Sequence, residues 1–154
     1  MNRVTMSAEE VPVPGWGKTL KSYALKVLAE LGRDKWDISI LLCGDNTIAK
    51  LNSQYRGKNE ATDILSFVMD EGALFPAAGK GSSARRQPGD IVISLDTLRE
   101  NARYFKTSED EELCRLLIHG ILHLDGMDHA SNKKTEPMLV LQEAILTKLS
   151  REGL

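Results

Sequence analysis

Apolar residues recur near the start of the chain at Leu20, Tyr23, Ala24, Val27, Leu28 and Leu31. Spacings of three and four place them on one side of a helix, and Gly32 stands where a glycine commonly ends one. Residues 1–16 are weakly patterned, and Pro12 and Pro14 allow at most an edge strand there. Residues 38–43 form a short apolar run rich in strand formers and end at Gly44. Asp45 is placed to cap a helix whose apolar side is Ile48, Leu51 and Tyr55, with Gly57 closing it. Residues 64–68 read as the next strand. Strand, helix and strand with short links predict a right-handed parallel crossover.

The pattern lapses over residues 70–88, where Gly, Ala, Ser and Pro dominate and no period is visible. A loop of that length is usually functional or mobile. Strand character returns over 90–95, and Leu98, Ala102 and Phe105 mark a short helix. Ser108 and Glu111 have the spacing of a capping box. The helix they start is apolar nearly all round over 113–124, interrupted by Arg115, His119 and His123. Such a helix is covered on several sides and therefore central. A last helix runs over about 135–152, with Pro137 tolerable in its first turn. The expected fold class is α+β: one domain over residues 1–154, a small mixed β-sheet packed with about five helices.

Composition narrows the function classes. The 154 residues are 42% hydrophobic and 27% charged, as in an ordinary globular protein. A net charge of −2 gives no global attraction to nucleic acid or membrane, so local patches decide both. No apolar run approaches the ~18–20 residues of a membrane span. The first residues lack the apolar stretch of a secretory signal. Cys43 and Cys114 form no Cys-x-x-Cys pair and read as buried, reduced thiols, so a cytoplasmic protein is expected.

All three histidines fall between positions 119 and 129, in HGILHLDGMDH. His119 and His123 are four apart on a helix, so their rings leave one face. Gly126 falls where the helix must end, and the chain can turn there to bring His129 to the same ion. Three imidazoles hold zinc in many catalytic sites and leave a fourth tetrahedral position open. The expectation is one Zn2+ per chain on His119, His123 and His129. The spacing H-x3-H-x2-G-x2-H is that of metzincin proteases, which carry a glutamate base after the first histidine. Here that position is Gly120, so a protease reading lacks the group that activates water. An uncharged residue there also leaves the site more positive and favours an anionic substrate such as a phosphodiester. Asp128, beside His129, is a candidate to orient a ligand ring or accept a proton.

The chain resembles the YbeY family of single-strand-specific, metal-dependent endoribonucleases of ribosomal RNA maturation. Three segments carry the resemblance: HGILHLDGMDH, YRGKNEATDILSF from Tyr55, and GDIVIS from Gly89. The sequence departs from the family's common pattern at Ala61 and Val68, where proline is usual. The resemblance implies zinc on the three histidines, the metal-bearing helix at the centre of the fold, and a catalytically important arginine at Arg56. A planar guanidinium suits that role, because it can hold two nonbridging phosphate oxygens and stays charged at any relevant pH. Lys58, Lys80, Arg85, Arg86, Arg99 and Arg103 lie between the motifs and could track a single strand, with Lys58 and Arg56 as the nucleic-acid contacts expected first.

The expected function is therefore zinc-dependent cleavage of single-stranded RNA in ribosomal RNA processing. Ribosomal RNA and the small ribosomal subunit are the expected partners, without DNA or membrane. Two alternatives differ in class: a metalloprotease-like hydrolase, and a non-enzymatic ribosome-assembly factor with a structural zinc. The second needs a fourth protein ligand, such as Cys114 or Cys43.

Overall fold

The computed structural model describes residues 1–69 and 85–152. The strands are β1 (Arg3–Ala8), β2 (Asp37–Cys43), β3 (Ile64–Val68) and β4 (Gly89–Ser94). The helices are α1 (Gly17–Glu30), α2 (Asp45–Arg56), α3 (Leu95–Tyr104), α4 (Glu109–Leu124) and α5 (Pro137–Glu152). One four-stranded sheet has the order β1-β2-β4-β3. β2 lies parallel to both β1 and β4, while β3 pairs antiparallel with β4, so the sheet is mixed.

Alternation along the strands divides the core. Ile38, Ile40, Leu42, Ile91 and Ile93 face the main core, where α1, α4 and α5 pack. Leu65, Val92 and Cys43 face the other way and meet Ile48 of α2. The apolar stripe of α1 is buried as its spacing predicts, from Leu20 to Leu28. The all-round apolar α4 touches α1, α3, α5, β3 and β4, which makes it the central helix. Its start is fixed by Ser108, whose Oγ accepts the Glu111 N–H at 3.0 Å. The Glu111 carboxylate takes the Thr107 hydroxyl. Burial pushes the Cys43 thiol up to about 12 and the Cys114 thiol up to about 11, so both are inert at neutral pH.

Three local expectations change. The chain does not make a parallel crossover from β2 through α2 to β3. β4 sits between those strands, and β3 runs antiparallel at the far edge. The parallel neighbours joined through one helix are β1 and β2, one unit earlier. Asp45 does not cap α2. It is the helix's first residue, and its Oδ1 accepts the Ser94 hydroxyl at 2.7 Å and the Thr97 hydroxyl at 2.6 Å. It thereby ties α2 to the start of α3. Tyr55 and Phe105 sit at helix ends, 62% and 63% exposed, outside the apolar faces assigned to them. The 70–88 loop expectation falls largely outside the described residues.

Candidate metal centre

α4 presents His119 and His123 one turn apart, with ring centroids separated by 4.6 Å. The helix stops just beyond. The Gly126 N–H donates to the His123 carbonyl and the Met127 N–H to the Leu122 carbonyl, each at 3.0 Å. Gly126 has φ +93°, a conformation that glycine takes without a Cβ clash. The reversal carries His129 back, its ring 5.2 Å from His119 and 5.7 Å from His123. One ring nitrogen from each of the three histidines lies within 4.8 Å of the other two.

The hydrogen bonds decide which nitrogen each ring offers. His119 Nδ1 meets Gln142 Oε1 at 2.7 Å, His123 Nδ1 meets the Met127 carbonyl at 3.1 Å, and His129 Nδ1 meets the Ser131 carbonyl at 2.9 Å. All three partners are acceptors, so each Nδ1 carries the proton and each Nε2 keeps its lone pair. The Nε2 atoms of His119 and His123 are 3.1 Å apart. Two lone pairs at that distance repel unless a cation joins them. Two nitrogens at ~2.0–2.1 Å from a tetrahedral zinc stand ~3.3 Å apart, so the residues fit one such ion. Burial, above all, holds the His119 and His123 rings below the ordinary imidazole range. That keeps them neutral, as ligands must be.

Arg56 ends α2, and its Nη2 donates to the Ser66 carbonyl of β3 at 2.7 Å. Its Cζ lies 5.8 Å from the centroid of Phe67, which Tyr55 meets edge-on at 5.4 Å. The guanidinium charge is near enough to act on His123, after the larger effects of burial, the Met127 carbonyl, Asp128 and His129. The structure brings the three histidines together with Asp128 on the same turn, and ties Arg56 to β3, which packs against α4. Asp128 orients none of the rings, since their Nδ1 positions go to Gln142, Met127 and Ser131. Its Oδ1 accepts the His129 backbone N–H at 2.8 Å and so shapes the turn. Lys58 is exposed two residues past Arg56.

Among the described residues the other basic residues make no continuous track. Arg85 donates to the Trp36 carbonyl at 3.0 Å, and Arg86 lies 5.7 Å from the Trp36 ring. Arg99 pairs with Glu109 at 3.4 Å and Asp96 at 3.9 Å. Lys80 lies outside the described residues. Among the described residues neither cysteine joins the histidine cluster.

Gly120 serves packing. A Cβ there would meet Ile64 Cδ1 at 3.0 Å and Ile91 Cδ1 at 3.1 Å, so α4 lies close on the sheet at this point. The site's missing glutamate is thus a consequence of direction, because position 120 points into the core. Gly120→Glu should give no peptidase. Burying a carboxylate between two isoleucines should instead cost several kcal/mol. Urea unfolding and a peptide-cleavage assay on this variant check both statements, and a stable, proteolytic variant would refute them.

Gln142 is the site residue that the sequence reading missed. It occupies the buried stripe of α5, between Met138 and Ile145. A polar residue at core spacing in an otherwise apolar stripe was the available signal.

A triad of imidazoles on a central helix and the turn after it defines a class: small α+β domains built to hold a single metal ion. Comparison with known proteins narrows the class. The chain belongs to the endoribonuclease YbeY family, whose sequence profile matches residues 4–150. A relative named endoribonuclease YbeY from Treponema pallidum strain Nichols is 41% identical over 151 residues, covering 98% of this chain and 92% of its own. One of the same name from Persephonella marina is 40% identical over 151 residues, covering 97% and 94%. The solution structure of TM1509 from Thermotoga maritima superposes with a TM-score of 0.65 at 27% identity, covering 99% of this chain and 91% of that one.

Proposed function

We propose that this chain is a zinc-dependent endoribonuclease that cuts single-stranded RNA during ribosomal RNA maturation. The observation that carries the reading is the convergence of one ring nitrogen from each of three histidines, with every Nδ1 held by an acceptor. His119, His123 and His129 would hold the ion. When bound, zinc supplies Lewis acidity and lowers the pKa of a water it holds to about 7. Arg56 binds the scissile phosphate. One of its five N–H donors goes to Ser66, which orients the planar fork toward the nonbridging oxygens. The charge that grows on those oxygens during cleavage is what Arg56 stabilises. Asp128 receives or relays a proton at its carboxylate, and Lys58 contacts the RNA backbone beyond Arg56. With net charge −2 and no continuous basic track among the described residues, recognition rests on strand shape and local phosphate contacts.

In this reading the partners are ribosomal RNA and the small ribosomal subunit, in the cytoplasm; membership of an endoribonuclease family supports an RNA substrate. No helix of the described residues is long and apolar enough to cross a membrane. Gly120 faces the core, which removes support for a peptidase. The test uses purified protein stripped by a chelator and then restored with zinc, on a single-stranded RNA and its duplex. Cleavage of the single strand only, present only with metal, is expected. Cleavage that survives stripping, or an intact RNA bound tightly in a zinc-dependent way, would overturn the proposal.

A further inference from the structure

The acceptor on His119 is itself held by a chain of polar groups. Gln142 is 7% exposed, and its Nε2 donates to Glu143 Oε2 at 3.0 Å while its Oε1 faces His119. Arg115 grips Glu143 twice, Nε to Oε2 at 2.9 Å and Nη2 to Oε1 at 3.2 Å. Its Nη1 donates to the buried Glu112 at 3.0 Å. An ionised carboxylate only accepts, so the Gln142 amide has one favourable orientation. A flipped amide would set its oxygen against Glu143 and its NH2 against His119 Nδ1. The ring proton would then move to Nε2, where the ion needs a lone pair.

We propose that Arg115 and Glu143, acting through Gln142, set the tautomer of His119 and so tune the metal affinity of the triad. All three are positioning residues on α4 and α5, away from the reacting atoms. The other two rings take their orientation from backbone carbonyls, so His119 alone depends on a side-chain relay. Partners of this kind typically cost 10–100-fold in metal affinity when removed. The proposal rests on the triad holding a metal, but it does not need RNA to be the substrate.

The experiment measures zinc affinity of the full chain by chelator competition, and 15N NMR of the histidine rings in the metal-free protein. Gln142→Leu keeps the volume and removes the acceptor. It should bind zinc about 10–100-fold more weakly and lose the single Nδ1-protonated form of His119. Gln142→Glu combined with Glu143→Gln restores an acceptor on His119 without setting two carboxylates against each other, and should return affinity to within about threefold. Should the leucine variant fail to fold, Glu143→Ala serves, since it leaves Oε1 in place but frees the amide to rotate. A mixed His119 tautomer and a loss of up to about tenfold are expected there. Wild-type affinity in Gln142→Leu, or equal losses in the leucine and double variants with an unchanged tautomer, would overturn the proposal. Relay behaviour as expected in a zinc-loaded protein that cuts no RNA would sink the endoribonuclease reading and leave the relay standing.

Discussion

His123→Ala should abolish metal binding and RNA cleavage together while the protein stays folded. His123 supplies one of only three converging nitrogens among the described residues. Its loss takes a ligand itself, so the affinity should fall by more than the roughly 10–100-fold that an outer partner is worth. Cleavage should drop to the level of the chelator-stripped wild type. The fold should survive because the ring is only partly buried and alanine favours the helix. Chelator competition, a single-stranded RNA assay and a thermal melt are the three measurements. Undiminished cleavage by a variant free of host nuclease would show that the triad is not the engine of the reaction.

The second large effect belongs to Arg56. Arg56→Ala should lower kcat by about 10²–10³-fold, the usual cost of removing one donor that meets developing charge. Zinc affinity should hardly change, since Arg56 ligates nothing and reaches His123 only through space. Arg56→Lys keeps the charge but not the fork and should recover only part of the rate. The Ser66 contact is exposed, so neither variant should melt much earlier. Single-turnover cleavage at saturating RNA separates kcat from binding. A change in KM alone would reduce Arg56 to a substrate contact.

What could be read in the sequence was set by range. The i, i+4 histidines and Gly126 are local features, and local geometry alone brings the rings together. The apolar stripe of α1 and the all-round α4 were legible for the same reason. Strand order was not, because the partner of β3 depends on β4 sitting between it and β2. β1 was hard to see because it lies at the sheet edge with only Val4 buried. At the site, Asp128 drew attention as the nearest carboxylate. Two of the three ring acceptors are backbone carbonyls, which no residue letter reveals, and the third arrives from α5 through the tertiary fold. Gly120 was legible as an absence of glutamate, but its reason lies in how closely α4 approaches Ile64 and Ile91.

The uneven support of the three rings makes the triad adjustable at one corner. Side-chain changes at Met127 and Ser131 leave the carbonyls that hold His123 and His129 in place. Position 142, by contrast, acts on one ligand without altering the ligand set. A graded series of metal affinities is therefore within reach of substitutions at a residue that is not itself a ligand.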